Sequence, residues 1–473
     1  MVNKLIGRKK ESEELQRLFH SGRPEFITVY GRRRVGKTYL INALFEKDFA
    51  FKMTAILNDD MKGQLRNFAV AVEEYGSEDE PALSDWFDAF KQLRALLEKS
   101  NLKRKIVFID EMPWLDTKGS HFIPALEHFW NGWASAREDI MLIVCGSAAS
   151  WISKKLFKSR GGLHNRITRR ILLKPFTLAE CRLYAEKEGL QTDEISLLEN
   201  YMTFGGVPYY LSLLNKNYSL AQNVSRLFFS NGGELRDEYA NLYASLFTNA
   251  TKHLLVVEAL GKKRIGLTRE EIKQATKLPE GGSLTEVLEE LEMSGFIRKY
   301  TPFARKKKGS LYQLIDHFTL FYLAFVKQSP YEEPDYWMKM RETQKYRTWR
   351  GYAFEQVCLS HVEQIQKTIG VAGVITHIES WRSGLANNGA QIDLLINRSD
   401  GVISMCEMKF SDSEFSITKK LAHEIRNKRN VFIGETETKK AVHIVLVTPI
   451  GLKRNEYFDL VQSVVTATDL FKD

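Results

Sequence analysis

The octapeptide Gly31-Arg32-Arg33-Arg34-Val35-Gly36-Lys37-Thr38 fits the pattern GxxxxGK[ST] without a mismatch. It follows a short apolar run at residues 26–30 and precedes a helical pattern, which is the context the motif requires. Strand, glycine-punctuated turn and helix in that order constrain the fold more than any other stretch of the chain. Further apolar runs at 106–109 and 140–144 alternate with amphipathic segments such as 88–99. The first 150 residues therefore read as a parallel α/β sheet.

The chemistry follows from the backbone. Glycines let the N–H groups of Gly31, Arg34, Val35, Gly36, Lys37 and Thr38 converge on phosphate oxygens at a helix N-terminus. Lys37 would reach the β- and γ-phosphates, and the Thr38 hydroxyl would ligate Mg²⁺. The run at 106–109 ends in Asp110-Glu111. Asp110 would hold Mg²⁺, directly or through water, and Glu111 is placed to polarise an attacking water. A second acid at that point favours hydrolysis over transfer. The run at 140–144 ends in Cys145-Gly146-Ser147, where the Ser147 hydroxyl could bond the γ-phosphate or the water. The three arginines inside the loop read as solvent-facing charge.

At 473 residues the chain is long enough for roughly three domains. Its 44% hydrophobic and 27% charged residues fit a globular protein with large cores. The 68 basic against 59 acidic residues leave a net charge of +9, which favours an anionic partner without choosing one. Four scattered cysteines with no CxxC pair argue against a zinc site or a disulfide framework. The apolar stretch at 318–326 is about half of what spans a bilayer, and the opening residues hold no signal-type apolar run. The expectation is a cytoplasmic protein with no membrane partner.

Beyond the first sheet the pattern changes. Strand-type runs vanish between about 175 and 245, so a helical subdomain is expected over 171–245 after a core over 1–170. Residues 246–326 read as three short helices and then two apolar strands, 296–300 and 311–314. These flank a basic turn, Arg305-Lys306-Lys307-Lys308. That is the outline of a winged helix, with cations at the wing. Its candidate recognition helix, 283–292, carries Glu286, Glu289, Glu290 and Glu292 and no base-reading Arg, Asn or Gln. Sequence-specific reading of DNA is therefore not expected, and a packing or protein-contact role stays open. Residues 327–350, with Pro330 and Pro334 as breakers, read as a linker. Mixed α/β pattern returns over 351–473.

The first part resembles the archaeal-type ATPase family within the AAA+/STAND group of P-loop NTPases. The resemblance is carried by Ile6-Gly7-Arg8-Lys9-Lys10-Glu11, the loop at 31–38, the acidic strand at 106–111, Gly146-Ser147 and Phe204-Gly205-Gly206-Val207-Pro208, over about residues 1–215. It implies that ATP is the nucleotide, that Gly7 and Arg8 lie near the adenine, and that Gly206 and Pro208 of a helical lid lie near the nucleotide. It also implies a downstream arginine that senses the γ-phosphate, for which Arg166 is the candidate and Arg160 the rival.

In the last part, Glu355 falls on a helix, Asp393 leads into a strand, and Glu407 and Lys409 share one face of the next strand. Two carboxylates can hold Mg²⁺, and a lysine beside them can orient water. The arrangement resembles the PD-(D/E)XK nuclease superfamily over about 350–450. That resemblance implies Glu355 as the helix acid, Glu355, Asp393 and Glu407 as metal ligands, and Asp393, Glu407 and Lys409 as catalytic residues. Gln391-Ile392 stands before Asp393 where a proline is frequent. The expected fold class is α/β: a P-loop NTPase parallel sheet with a helical lid, a winged-helix domain and a C-terminal restriction-endonuclease-like domain. Two functions stay open. One is an ATP- and Mg²⁺-dependent ATPase whose nucleotide state controls a nuclease acting on DNA or RNA. The other is a STAND-like switch whose C-terminal domain binds without cleaving, acting with a second copy of itself or a protein partner.

Overall fold

The computed structural model describes residues 5–76, 79–158, 161–163, 165–190, 192–247, 249–263, 265–279, 282–300, 303, 310–330, 333, 335–383 and 390–473. The chain divides into two compact units, Met1–Pro175 and Phe176–Asp473. Among the described residues, no helix is long and apolar enough to cross a membrane.

The first unit is built on β1 (Glu25–Tyr30), β2 (Phe49–Thr54), β3 (Lys105–Asp110), β4 (Ile140–Gly146) and β5 (Arg169–Leu172). Their order is β2-β3-β4-β1-β5, and every pairing is parallel. Both faces are covered, as all-parallel sheets require. Side-chain alternation sorts the strands between two cores. Ile27, Val29, Ile106, Phe108, Met141 and Ile143 meet helices Lys9–Phe19 and Lys37–Phe45 on one face. Val107, Ile109, Leu142 and Val144 meet helices Met61–Glu74, Trp86–Lys99 and Phe122–Gly132 on the other. The apolar runs at 26–30, 106–109 and 140–144 thus become β1, β3 and β4. The edge strands β2 and β5 lack an unbroken apolar run, since Lys52 interrupts the one and Arg169-Arg170 open the other.

The second unit begins with helices Leu178–Glu188, Glu194–Phe204 and Pro208–Ser212. Helix Ala250–Lys262 leads to a small antiparallel sheet of β6 (Leu267–Thr268), β7 (Ile297–Tyr300) and β8 (Leu311–Leu314), ordered β6-β8-β7. Helices Arg269–Thr276 and Gly282–Met293 lie between β6 and β7. The basic turn at 305–308 falls outside the described residues. A second five-stranded sheet closes the chain: β9 (Thr376–Arg382), β10 (Gln391–Arg398), β11 (Val402–Met408), β12 (Ala441–Val447) and β13 (Ser463–Val465). Strands β9 to β11 pair antiparallel, and β11 to β13 parallel.

Residues 327–350, expected to be a linker, differ from that expectation. They contain helix Tyr336–Arg341 and the first turns of helix Gln344–Ser360. Trp337, Tyr346 and Trp349 are buried against Phe321 and Phe325. The segment is polar on average, yet its aromatic rings fall on the inward faces of two short helices, and average composition hides that. One continuous core then runs from Phe176 through Leu260, Leu314 and Trp349 to Val447 and Phe471. The helical segment, the small sheet and one face of the C-terminal sheet therefore share one core.

His361 ties the two ends of this unit together. Its Nδ1–H donates to Val357 O at 2.8 Å, and its Nε2 accepts from the Leu178 N–H at 3.1 Å, so it caps helix Leu178–Glu188. Burial pushes its pKa down to about 4, against the opposing bond to Val357. Between the ordinary histidine value and that value the unfolded chain binds a proton that the native chain refuses. Stability is thus fully present above the ordinary value and falls as pH drops toward 4, by about 1.4 kcal/mol per pH unit. In urea unfolding of the second unit between pH 7 and 4.5, His361→Gln is expected to remove about 2 kcal/mol of that loss. Equal losses in both proteins would show that the imidazole is not the group responsible.

Candidate functional site

The loop between β1 and helix Lys37–Phe45 turns through three left-handed positions: Gly31 (φ 142°), Arg34 (φ 70°) and Gly36 (φ 88°). Left-handed residues at these points aim successive N–H groups into one concavity. Gly31 is also required by space, because a Cβ there would lie 2.3 Å from Leu173 O. Arg8, itself left-handed at φ 57°, is buried and clamps the loop from outside. Its guanidinium donates to Val35 O at 2.9 Å and to Lys174 O at 2.7 Å. Arg32 is buried, in contrast to the expected solvent-facing charge, while Arg33 and Arg34 are half-buried.

Lys37 opens the helix with its ammonium buried at the loop's centre. It donates to Gly31 O at 3.2 Å, Arg32 O at 3.1 Å and Ser147 Oγ at 2.9 Å. Burial pulls its pKa below the ordinary lysine value, opposed by the charges of Glu111 and Asp110. Ser147 passes the contact on. Its Oγ–H donates to Glu111 Oε1 at 2.6 Å, and its N–H donates to Oε2 at 2.9 Å. The strand order makes this chain of bonds, because β4 lies between β1 and β3 and Ser147, the residue that follows β4, reaches both. Glu111 sits in the left-handed region at φ 48°, a conformation that costs about 1–3 kcal/mol in a non-glycine residue and is tolerated at functional sites.

Next to it, Thr38 Oγ1 donates to Asp110 Oδ2 at 2.7 Å. Burial raises the Asp110 pKa, opposed by this hydrogen bond. A hydroxyl and a carboxylate side by side are hard oxygen donors of the kind Mg²⁺ takes. Lys37, Thr38, Asp110, Glu111 and Ser147 are therefore brought together. Arg166 lies on an exposed turn, with its backbone N–H on Leu163 O at 3.1 Å; the rival Arg160 is outside the described residues. Gly7 takes φ 63° just before Arg8. Gly206 (φ 66°) and Pro208 belong to the second unit, where a Cβ on Gly206 would lie 2.3 Å from Phe176 O.

The C-terminal candidates also converge. β10 and β11 run antiparallel with Leu394 opposite Cys406, which brings Asp393 and Glu407 to one end of the ladder. Glu355, on helix Gln344–Ser360, feels the charges of Asp393, Lys409, Glu407 and Lys428; burial, the largest cause, pushes its pKa up to about 8. A cavity of about 320 Å³ is lined by Glu355, Asp393, Gln391, Tyr352 and Thr348. As arranged, these residues do not fit a metal ion. Both Glu407 oxygens are taken by ammonium groups, of Lys409 at 2.7 Å and Lys428 at 2.8 Å, and Asp393 Oδ1 accepts from Gln391 at 2.7 Å. Among the described residues, no group of three or more His, Cys, Asp or Glu is placed to hold one. Sequence reasoning missed Lys428. The signal was its spacing from Ile425 and Phe432, three before and four after, on the inward face of helix Lys419–Thr436.

Substituting Gly31→Ala is expected to lower the melting temperature of the first unit in the absence of nucleotide. The expected loss of stability is at least about 1–3 kcal/mol, since both the backbone angle and the Leu173 carbonyl oppose a side chain. An unchanged melt would mean that the loop can be rebuilt without its close approach to β5.

A family described as an ATPase domain predominantly from Archaea matches residues 5–214. An uncharacterised protein of Methanocaldococcus jannaschii is 25% identical over 452 residues, covering 93% of this chain and 95% of that one. An uncharacterised ATP-binding protein of the same organism is 46% identical over 41 residues, 9% of this chain and 70% of the relative. The Walker-type ATPase of Pyrococcus abyssi, a solved structure, aligns with a TM-score of 0.51 at 17% identity, over 67% of this chain and 96% of its own. That likeness is one of fold. The family match, over residues 5–214, spans the loop, the Asp110-Glu111 strand end and Ser147.

Proposed function

We propose that the protein binds ATP with Mg²⁺ at the Gly31–Thr38 loop and hydrolyses it. The observation that carries this reading is the chain of bonds from Lys37 through Ser147 to Glu111, with the Thr38–Asp110 pair beside it. The loop N–H groups and Lys37 would hold the phosphates, and Thr38 and Asp110 would hold the metal. When bound, Mg²⁺ supplies charge neutralisation of the phosphate oxygens. Glu111 is the group to orient and deprotonate the attacking water, and Ser147 holds its carboxylate at both oxygens. The ammonium's present partners, two carbonyls and a hydroxyl, are ones a phosphate oxygen could replace.

In this reading the second unit responds to the nucleotide. Its helix-helix-strand arrangement around β6, β8 and β7 supports a winged-helix segment over 246–326, and its C-terminal sheet supports a nuclease-like domain over 351–473. The nuclease-like pattern of Glu355, Asp393, Glu407 and Lys409 supports nucleic acid as that domain's ligand. The engagement of Glu407 by two lysines favours binding over cleavage, and so the regulatory switch over the nuclease. The core shared by residues 176–471 supports transmission, because a shift of the first helices would be carried into that sheet.

The test is a pair of substitutions. Lys37→Ala should abolish ATP binding in calorimetry. Glu111→Gln should keep binding within about threefold and lose at least about 100-fold in turnover, in the range measured when a preorganised catalytic group is removed. Wild-type turnover in Glu111→Gln would remove Glu111 from the role of base.

A further inference from the structure

Helix Lys419–Thr436 packs on the face of β11 that carries Ile403 and Met405, with its own Ile425 and Phe432 in the same core. Glu407 and Lys409 share that face by strand alternation. Lys428 lies between Ile425 and Phe432 on the helix and so points at Glu407, with its Nζ 2.8 Å from Oε2. Lys409 Nζ holds the other oxygen at 2.7 Å. Glu407 is only 8% exposed, against 35% for Lys409 and 27% for Lys428. The carboxylate is thus enclosed, and each of its oxygens is held by a more exposed cation. Arg298, from β7, adds its positive charge near Asp393 while its Nε donates to Gln313 at 2.9 Å.

Lys409 and Lys428 therefore answer the Glu407 carboxylate, and Arg298 lies near Asp393. A divalent cation entering here would have to separate Glu407 from at least one ammonium group and then sit beside both, in a poorly solvated pocket where like charges repel strongly. We propose that Lys428 is the built-in counter-charge of Glu407 in place of a divalent cation, so that this cluster stays metal-free and its domain does not cleave by metal-assisted hydrolysis. The inference rests on the nuclease-like reading of the C-terminal domain and assigns that site its chemistry.

The test is a Mn²⁺ titration of the full chain without nucleotide, read by the loss of the free-ion electron paramagnetic resonance signal. The proteins are wild type, Asp393→Asn, Lys428→Gln, Lys428→Arg and the double variant Lys428→Gln/Asp393→Asn, each first checked for an unchanged melt. The expected result is a Mn²⁺ site in Lys428→Gln at least tenfold tighter than any in wild type. It should vanish in the double variant and be absent from Lys428→Arg, which keeps the charge. A wild-type site that Asp393→Asn removes and Lys428→Gln leaves unchanged would overturn the inference and leave the nuclease-like reading standing. Failure of every variant to acquire an Asp393-dependent site would overturn both.

Discussion

A buried ammonium group organises the first unit. Lys37 sits at the C-terminal end of the sheet with its charge desolvated, and such a cation is stable only where carbonyls, hydroxyls and carboxylates surround it. Gly31 O, Arg32 O and Ser147 Oγ provide the contacts, and Asp110 and Glu111 provide the charge. These partners come from three strand ends, those of β1, β3 and β4. The position of β4 between β1 and β3 is what lets one lysine meet all three, and it turns a phosphate-binding loop into a site with a carboxylate aimed across it.

The second unit is organised by packing instead. Its helical segment, small sheet and C-terminal sheet share one core, and polar ties cross that core. His361 caps the helix that begins at Leu178, and Arg350 joins Glu199 to Asp412 at 2.9 and 2.8 Å. A body so joined has few places to bend internally. Two adjacent left-handed glycines, Gly205 and Gly206, end its second helix.

Much of the first site was legible in the sequence, because its residues are fixed by local rules. The loop follows its strand directly, Asp110-Glu111 ends an apolar run, and Ser147 ends another. What was not legible depended on tertiary placement. Arg8 lies 27 residues from the carbonyl of Val35 that it holds, and nothing local announces that clamp. The helices at 336–341 and 344–360 were obscured by prolines and charges around their inward aromatic residues. Lys428 is a lysine among lysines and arginines until β11 packs beneath it. In the C-terminal sheet the strand pattern gave Glu407 and Lys409 a common face, and the fold added a second cation to it.

Ser147 joins the Lys37 ammonium to the Glu111 carboxylate, and the proposed hydrolysis depends on that link. Single-turnover ATP hydrolysis by Ser147→Ala, with nucleotide affinity measured in parallel, tests it most directly. The rate should fall by about 10- to 100-fold, as for other lost positioning groups, with affinity within about threefold of wild type. A wild-type rate would contradict it, as would a loss of affinity with the rate of the bound nucleotide unchanged.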